Sequence, residues 1–340
     1  MNALFYTDLE KFYVDSLFEH FKNSSFLVTG ATGMIGSALV DYLEMLNKKG
    51  ANIKIYCLVR SKEKAQKRFS DYNDIEYVVQ DVTRPFTLKE KVDYIVHAAS
   101  NASPKLYSTQ PVETITGNFF GMYNVLEYAK NNDIKRVLYV SSGEMYGVAQ
   151  DGMTSFYEGY VGPVDYSISR SCYPAGKRSS EVLCQSYIDE YNLDCVIVRP
   201  CHVYGPTMTN ADTRAISSFI RNGVNHENIV MKSKGEQVRS HCYVFDAVSA
   251  MLTVLSKGKN GEAYNISGDQ SVYSIKEMAT MICEKANSQL VFDLPTETEQ
   301  KGFSKVPLAV LDNTKLKELG WHCLYSLKQG IEVTIDILEQ

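Results

Sequence analysis

The stretch TGATGMIG (residues 29–36) decides the fold that this sequence predicts. It lies between a short apolar run, SFLVTG, and an amphipathic run, MIGSALVDYLEML, which together indicate a strand, a tight turn and a helix. Glycines at 30, 33 and 36 let the backbone turn sharply, approach a diphosphate closely and bring the helix against the strand. The helix would then point its free N–H groups and positive dipole end at that diphosphate. In this strand–turn–helix context the motif indicates a dinucleotide-binding site.

Strand-like and helix-like runs alternate beyond this turn as far as residue 200. The alternation predicts an α/β fold, a Rossmann-type doubly wound parallel sheet with a smaller C-terminal substrate-binding lobe. The predicted strands after the turn are 53–60, 75–81, 92–100, 136–142 and 194–200, and the later predicted helices are 111–131 and 173–191. The predicted divisions are an N-terminal helical extension (1–24), a dinucleotide-binding domain (25–200), and a region (201–340) that is mainly the substrate-binding lobe, with some segments returning to the first domain.

The N-terminal extension is predicted to form a helix. Thr7 with Glu10 makes a capping-box pattern, and apolar residues follow at helical spacing. These residues give the helix an aromatic face, which we expect to pack on the core of its own subunit, with a contact to another subunit as the alternative. They are Leu9, Phe12, Tyr13, Leu17 and Phe21.

Composition and charge narrow the classes of function. The 340-residue chain has a net charge of −5 and no basic run, which argues against a nucleic-acid partner. Its eight cysteines include no C-x-x-C pair, so we expect reduced, buried thiols and predict no metal site. The first 25 residues lack the apolar core of a signal peptide, and no stretch has the length of a membrane span. The expected location is therefore cytoplasmic, without a membrane partner.

The end of the second predicted strand bears on which dinucleotide binds. A carboxylate there would bond the ribose 2′-hydroxyl of NAD, but the sequence runs through Leu58 and Val59 to Arg60 without one. Arg60 can receive the 2′-phosphate of NADP or remain a solvated side chain, so NAD and NADP both stay open. Asp81, at the end of the third predicted strand, is placed to meet the adenine amino group, and a strand-end cap is the alternative.

Tyr173 and Lys177, in the segment SCYPAGKR, are four residues apart and would share one face of a helix. The lysine charge would then lower the pKa of the phenol, which is about 10 when unperturbed. The upstream segment SSGEMYG adds Ser142 and Glu144. Together with the glycine turn, these residues indicate a nicotinamide enzyme in which Tyr173 removes a hydroxyl proton while hydride leaves the same carbon.

Further motifs follow in order: HAAS (97–100), Asn118 in GNFFGMYNVLEYAK, RPCHVYGP (199–206), YNISGD (264–269) and LDNTKLKELGW (311–321). With the segments above, they make the chain from about residue 25 onward resemble the extended short-chain dehydrogenase/reductase family, which contains nucleotide-sugar epimerases, dehydratases and decarboxylases. The resemblance implies an NAD(P)-dependent enzyme that acts on a nucleotide sugar. It implies that the dinucleotide is held by Gly30, Thr32, Gly33, Met34, Ile35, Gly36, Arg60, Asp81, Val82, Ala98, Ala99, Ser100, Asn118, Tyr173 and Lys177.

Within that family the chain is most similar to the UDP-glucuronate decarboxylases. The likeness is carried by ASNASPKLY (99–107), CYPAGKR (172–178), GPTM (205–208) with SFI (218–220), and GEQVRSHCYVFDAV (235–248). It implies transient oxidation of the sugar C4 hydroxyl, with Arg239 holding a carboxylate or phosphate oxygens. The implied catalytic residues are Ser142, Glu144, Tyr173 and Lys177, and the implied substrate contacts are Ser103, Glu144, His202 and Arg239.

The segment SSGEMYG discriminates between reactions of the family it resembles. Dehydratases carry an Asp–Glu pair there, but this sequence has Gly143 before Glu144, which disfavours dehydration. Decarboxylases carry Ser–Glu, so Glu144 fits while the hydroxyl is absent, and epimerases usually have small residues at both positions. His202 replaces a usual asparagine and is interpreted as a substrate contact, a catalytic group or a packed histidine.

Three functions remain open at this point. Decarboxylation of a UDP-glucuronate-like nucleotide sugar comes first, and epimerisation or 4,6-dehydration through the same 4-keto intermediate comes second. A catalytically silent dinucleotide sensor or scaffold is the alternative from another class. The resemblance also implies a homodimer, because family members commonly pair two helices per subunit in a four-helix bundle. Here those helices are 111–131 and 173–191.

Overall fold

The structure is a computed structural model and describes residues 1–293 and 308–340. Strands and helices alternate through these residues. The strands are β1 (Ser25–Thr29), β2 (Lys54–Val59), β3 (Ile75–Val79), β4 (Tyr94–His97), β5 (Arg136–Val140), β6 (Cys195–Pro200), β7 (His202–Tyr204), β8 (Ile229–Met231), β9 (Val238–Tyr243), β10 (Ala263–Ile266), β11 (Val272–Ser274), β12 (Leu290–Phe292) and β13 (Leu308–Ala309). The helices are α1 (Ala3–Glu10), α2 (Asp15–Phe21), α3 (Met34–Lys48), α4 (Lys62–Arg68), α5 (Pro104–Thr109), α6 (Pro111–Asn131), α7 (Cys172–Tyr191), α8 (Ala215–Val224), α9 (Val244–Lys257), α10 (Ile275–Ala286), α11 (Thr314–Lys317) and α12 (Leu327–Leu338).

A seven-stranded sheet forms the centre of the protein and confirms the predicted doubly wound α/β fold. Its strand order is β3-β2-β1-β4-β5-β6-β10, and every neighbouring pair is parallel. The order of the strands changes direction between β1 and β4. At such a point the loops beyond the carboxyl ends of the strands diverge and leave a crevice for a ligand.

Two apolar cores cover the two faces of this sheet. Side chains alternate between the faces of a strand, so Phe26 and Val28 of β1 join one core while Leu27 between them joins the other. The first core contains α3 and α9, and the second contains α6 and α7. Burial on both faces explains why these strands read as continuous apolar runs in the sequence.

Segments that follow β6 build a second, smaller sheet around β9. Strand β9 pairs with β11 on one side and with both β7 and β13 on the other. The register places His202 opposite His241, and Ala309 opposite Arg239. Strand β10 instead lies at the edge of the large sheet, beside β6.

The prediction of a single N-terminal helix is wrong, because two helices, α1 and α2, stand there. Helix α1 begins after Asn2, whose side chain accepts the amide of Phe5 at 2.9 Å. Thr7 lies inside α1 and its hydroxyl donates to the carbonyl of Ala3 at 3.0 Å, so Thr7 and Glu10 do not form a capping box. The apolar spacing continues across the break, which is why the sequence suggested one helix.

The aromatic face of these two helices lies in the core of the same subunit, as expected. Phe5 and Phe21 are fully buried, and the ring of Phe5 meets that of Phe245 of α9 at 5.5 Å. Asp8 adds a polar link: its buried carboxylate accepts the hydroxyls of Tyr243 at 2.6 Å and Tyr325 at 2.5 Å. These two hydroxyls replace the hydrogen bonds with water that the carboxylate loses when it is buried.

Replacing Phe5 with alanine tests whether α1 belongs to the core. Because Phe5 is fully buried, Phe5→Ala is expected to lower the free energy of unfolding by about 3–5 kcal/mol. Val14 is 38% exposed, so the control Val14→Ala should change it by less than about 0.5 kcal/mol. Urea unfolding followed by circular dichroism measures both, and equal small losses would contradict the assignment of α1 to the core.

Candidate active site at the carboxyl edge of the large sheet

The glycine turn lies where the strand order changes direction, between β1 and β4. Gly30 has a φ of +68°, and a Cβ on it would lie 2.7 Å from the backbone of Ala98 and Ala99 after β4. A Cβ on Gly36 would lie 2.3 Å from the carbonyl oxygen of Gly30. Only glycine fits at either position, so the turn and the first turn of α3 are held in close backbone contact.

The start of α3 suits a diphosphate. Gly33 caps the helix without a side-chain hydrogen bond, so no side chain of the turn covers the first N–H groups. Met34 is anchored from the other lobe, because Thr207 donates its hydroxyl to the carbonyl of Met34 at 3.0 Å. An uncapped helix end, beside glycines that leave no side chain in the way, fits the dinucleotide that the sequence predicts. Thr32 and Ile35, also predicted contacts, are half-buried in the same turn.

Predicted cofactor residues from neighbouring strands come to the same edge. Ser100, after β4, donates to the side-chain carbonyl of Asn118 at 2.9 Å, and the Asn118 amide donates to the carbonyl of Thr114 at 2.8 Å. Asn118 is therefore fixed on α6 facing the loop after β4. Val82 lies beside α6 as well, where its carbonyl accepts the side-chain amide of Asn124 at 2.9 Å.

Arg60 and Asp81 occupy the ends of adjacent strands, β2 and β3, and both are exposed. Asp81 accepts the amide and hydroxyl of Thr83 at 3.0 and 2.9 Å, which makes it the cap of a turn. The backbone N–H of Thr83, with its hydroxyl and the charge of Arg60, lowers the pKa of Asp81. The alternative of a strand-end cap thus describes Asp81 in this structure, and Arg60 stands near its charge.

Tyr173 and Lys177 lie on the first turns of α7, both buried. Tyr173 is 5% exposed and Lys177 is 2% exposed. The ammonium of Lys177 donates to the carbonyl of Val140 at the end of β5 at 2.8 Å, and it lies 5.7 Å from the centre of the Tyr173 ring. The two side chains therefore lie close together, as their spacing predicts, but the hydrogen bond of Lys177 is to β5.

The pKa of Tyr173 moves in the direction opposite to the one expected from the sequence. The pKa of Tyr173 is raised to about 12, first by burial and then by the charge of Glu144, while the hydroxyls of Ser142 and Tyr107 lower it. Burial also lowers the pKa of Lys177 to about 7. The expected lowering of the phenol pKa is wrong, because burial disfavours the charged forms of both Tyr173 and Lys177.

Tyr107 is a site residue that the sequence reasoning missed. It is 2% exposed on α5, and its ring stacks on that of Tyr173 with a centroid distance of 4.5 Å and an angle of 16°. Its hydroxyl lowers the pKa of Tyr173. Tyr107 ends the segment ASNASPKLY, so that motif contained the signal, but nothing in the sequence showed that α5 lies against α7.

Glu144 lies in a short turn after β5, with its side chain 40% exposed. Its carboxylate accepts the guanidinium of Arg170 at 3.1 Å. The charge of Glu144 also raises the pKa of Arg239, although burial of Arg239 has the larger, lowering effect. The side chain of Glu144 is therefore an acceptor for Arg170, and its charge also acts on Arg239. Ser142 accepts the amide of Glu144 at 3.2 Å, which fixes the turn.

Gly143 faces an apolar side chain from the C-terminal region. A Cβ on Gly143 would lie 3.1–3.5 Å from the side-chain carbons of Leu311, which is 5% exposed. Leu311 is itself held by Ser240, whose hydroxyl accepts its amide at 3.2 Å, and by Ser267, whose hydroxyl donates to its carbonyl at 2.8 Å. An acidic or hydroxyl side chain at 143 would require Leu311 to give way.

His202 and Ser103, both predicted substrate contacts, lie in different surroundings. His202 is half-buried on β7 beside His241, with a ring distance of 5.8 Å, and burial lowers its pKa well below the usual range. Its buried Nδ1 has no hydrogen-bond partner among the described residues. Ser103 is linked to the other lobe by a 3.1 Å hydrogen bond between its hydroxyl and that of Thr213.

A buried ion pair joins α7 to the strands beneath the site. Glu181, one turn after Lys177, accepts two hydrogen bonds from Arg199 of β6, at 3.1 and 2.6 Å, and the hydroxyl of Ser141 at 2.5 Å. Arg199 also donates to the hydroxyl of Tyr146 at 2.9 Å. Removing one partner of such a pair would leave the other as a buried charge without compensation, which is unfavourable. The pair therefore holds α7 against β6, and the bond from Ser141 ties α7 to the residue before Ser142.

Comparison with known proteins identifies the family. The family model described as the NAD dependent epimerase/dehydratase family matches residues 26–267, which contain the glycine turn, Ser142 and Tyr173. The chain belongs to this family. UDP-glucuronic acid decarboxylase 6 from Arabidopsis thaliana is 33% identical over 311 residues, which are 91% of this chain and 87% of that protein. The resemblance inferred from the sequence motifs is therefore confirmed.

Solved structures of epimerase/dehydratase proteins share the fold. An epimerase from Methanothermobacter thermautotrophicus is similar with a TM-score of 0.82 and 23% identity over 94% of both chains. A dTDP-glucose 4,6-dehydratase from Streptomyces venezuelae with NAD bound is similar with a TM-score of 0.78 and 23% identity, over 92% of this chain and 96% of the other. Within residues 1–293 and 308–340, no helix is both long and apolar enough to cross a membrane.

The stability of the dinucleotide-free protein is expected to depend on pH through Lys177. Its pKa is about 7 when folded and near 10.5 when unfolded, so the unfolded chain binds more protons between these values. The contribution of Lys177 to the free energy of unfolding therefore rises with pH from 7 upward. Relative to Lys177→Met, the wild type should gain up to about 1.4 kcal/mol per pH unit.

Urea unfolding at pH 6, 7, 8 and 9 measures this difference. The exposed Lys105 of α5 provides the control, since the difference between wild type and Lys105→Met should stay flat across the range. A flat difference for Lys177→Met as well would show that burial does not disfavour the charged ammonium.

Proposed function

We propose that this chain decarboxylates a UDP-glucuronate-like nucleotide sugar by transiently oxidising the sugar C4 hydroxyl. The observation that carries the proposal is the grouping of Tyr173, Ser142 and Glu144 beside the glycine turn. The charge of Glu144 acts on the phenol of Tyr173 and on the guanidinium of Arg239, and it raises the pKa of both. The curated relative from Arabidopsis, which the chain matches over most of its length, supports the choice of substrate.

The residues of the turn and of the neighbouring strands would hold NAD or NADP. The diphosphate would meet the N terminus of α3 at Gly33, Met34, Ile35 and Gly36, with Gly30 and Thr32 in the preceding turn. The remaining contacts are proposed for Arg60, Asp81, Val82, Ala98, Ala99, Ser100, Asn118, Tyr173 and Lys177. When bound, the nicotinamide accepts hydride from the sugar C4 and later returns it.

Tyr173 is proposed to take the proton of the C4 hydroxyl, and Ser142 to bond the same oxygen. A phenol whose pKa burial raises to about 12 needs positive charge nearby to act as a base at neutral pH. Lys177, 5.7 Å from the centre of the Tyr173 ring and with a pKa of about 7, is partly protonated there and would supply positive charge, and a bound NAD(P)+ would add to it. Stacking of Tyr107 on Tyr173 keeps the phenol in one orientation.

The step at C5 follows from the ketone that oxidation creates at C4. A carboxylate on C5 is then a β-keto acid, so carbon dioxide leaves, the electron pair delocalises onto the ketone, and a proton adds to C5. Arg239 and His202 of the smaller sheet, and Ser103 before α5, are proposed to contact the substrate, with Arg239 holding the carboxylate or phosphate oxygens. Glu144 is proposed to transfer the proton at C5.

Epimerisation through the same ketone remains the second candidate, because Glu144 can also remove a C5 proton. Dehydration has less support, since Gly143 provides no acid and Leu311 fills the space beside it. A silent dinucleotide sensor has less support too, since Ser142, Tyr173 and Lys177 are all present and buried or fixed at one edge.

A homodimer through α6 and α7 is part of the proposal. These two helices pack against each other and carry large apolar side chains that are exposed in the single subunit. Such a contiguous apolar surface on neighbouring helices suits a four-helix bundle with a second copy. The side chains are Val112, Ile115, Phe119, Phe120, Tyr123, Val182 and Tyr191.

The eight cysteines, all free thiols, support a cytoplasmic location.

Purified protein incubated with UDP-glucuronate and NAD(P)+ is expected to release carbon dioxide and yield a sugar nucleotide without the carboxylate. Tyr173→Phe removes the proton acceptor and should lower turnover by about 10²–10⁴-fold while dinucleotide remains bound. Mass spectrometry of the product and fluorescence titration of the dinucleotide measure the two effects.

The control is Tyr157→Phe, which removes a hydroxyl from a side chain that is 55% exposed and should leave turnover unchanged. Retained turnover in Tyr173→Phe would refute the proposed mechanism. A C5 epimer or a dehydrated product in place of carbon dioxide would favour the second candidate.

Arg60 is proposed to admit the 2′-phosphate of NADP. If it does, Arg60→Ala should weaken NADP binding by about tenfold or more, the cost of one charged hydrogen bond, and NAD binding much less. Calorimetric titration of both dinucleotides into wild type and variant measures this, with Arg84→Ala as the control for loss of an exposed positive charge. Equal weakening of both dinucleotides would mean that Arg60 does not meet the 2′-phosphate.

A further inference from the structure

Arg170 lies at the centre of the site without having been assigned a role. It belongs to the short turn Ser169–Ser171 directly before α7, three residues before Tyr173. Its guanidinium donates to the Glu144 carboxylate at 3.1 Å, and the two side chains are 42% and 40% exposed. An ion pair this exposed contributes little to the stability of a fold. Its consequence is therefore geometric: it fixes where the Glu144 carboxylate points.

The same guanidinium also contacts Tyr107. Its central carbon lies 4.6 Å from the centre of the Tyr107 ring, a favourable cation–π distance. The other neighbour of that ring is Tyr173, stacked at 4.5 Å. One side chain thus contacts both the carboxylate of Glu144, whose charge acts on the phenol, and the ring of Tyr107, which stacks on it.

Charged and titratable groups surround the phenol of Tyr173 on several sides. Glu144 raises the pKa of Tyr173, whereas Tyr107 and Arg214 lower it. Arg170 places a positive charge directly against Glu144 and so offsets the effect of that carboxylate on the phenol. The groups that face Tyr173 are Tyr107 of α5, Tyr139 of β5, Ser142 and Glu144 after β5, Lys177 of α7 and Arg214 before α8.

We propose that Arg170 is a positioning residue that fixes Glu144 and Tyr107 around Tyr173, and that it serves both proton transfers through these two side chains. This rests on the proposed function, in which Tyr173 acts at C4 and Glu144 at C5. Arg170 does not hold the substrate itself, since its guanidinium is already engaged by Glu144 on one side and by the Tyr107 ring on the other.

The test measures C4 oxidation and the C5 step separately in Arg170→Met, Arg170→Lys, Glu144→Gln and the double variant Arg170→Met/Glu144→Gln. Single-turnover absorbance at 340 nm with UDP-glucose, which has the C4 hydroxyl but no carboxylate, and with UDP-glucuronate reports oxidation. Released carbon dioxide reports the C5 step. Lys105→Met on the exposed face of α5 controls for loss of a positive charge, and thermal melting with dinucleotide titration confirms that each variant folds.

Arg170→Met is expected to slow oxidation of both sugars by about tenfold and to move its pH dependence upward, because the charge of Glu144 then acts on Tyr173 without compensation. KM should change by less than about twofold. Removing Glu144 as well should abolish the upward shift, and Arg170→Lys should restore part of the rate.

An unshifted pH profile in Arg170→Met would overturn the proposal. So would a raised KM for UDP-glucuronate alone, which would make Arg170 a receptor for the substrate carboxylate. An equal loss in the Glu144→Gln background would overturn it too, since Arg170 would then act independently of Glu144. A wild type that oxidises neither sugar refutes the proposed function itself, whereas a wild type that oxidises C4 without releasing carbon dioxide leaves the test of Arg170 intact.

Discussion

The site depends on the backbone of the turn after β1 lying against the backbone at the end of β4, with no room for a side chain between them. A Cβ on Gly30 would lie 2.7 Å from the amide nitrogen of Ala99, and that contact sets where the loop after β4 begins. From there Ser100 binds Asn118 of α6, and a Cβ on Gly176 of α7 would lie 3.1 Å from the Cβ of Asn118. Helix α7 carries Tyr173, so the position of the phenol relative to the glycine turn is fixed through one chain of short contacts.

Much of the fold could be predicted from the sequence. The large sheet is buried on both faces, so each of its strands is a run of apolar residues that is easy to recognise. Helix α6 spans Pro111–Asn131, the same bounds that the sequence predicts, because a proline begins it and its spacing is regular. The break between α1 and α2 was not predicted, since the apolar spacing runs across it. A capping pattern of the right residue types proved to lie inside a helix, where Asn2 had already supplied the cap.

The candidate site was predictable where one local segment carries it and not where distant segments meet. Tyr173 and Lys177 share a helix, and their proximity follows from spacing alone. Tyr107 and Leu311 reach the site only through tertiary packing, and the bond between Arg170 and Glu144 joins residues 26 apart, so no pattern in the sequence predicted these contacts. The sequence also could not predict that the pKa of Tyr173 is raised. The spacing shows that a lysine is near, but it does not show how deeply the phenol is buried, and burial has the larger effect.

Leu311 has a consequence for how this site can change during evolution. Its side chain fills the volume beside Gly143, and its backbone is bonded by the hydroxyls of Ser240 of β9 and Ser267 after β10. An acid introduced at 143 would bring its Cβ within 3.1–3.5 Å of the Leu311 side-chain carbons, so that side chain would have to shift by a few tenths of an ångström. The residues allowed at these two positions are therefore expected to depend on each other, although 168 residues separate them along the chain. A change of reaction that needs an acid at 143 is then expected to be favoured by a smaller residue at 311.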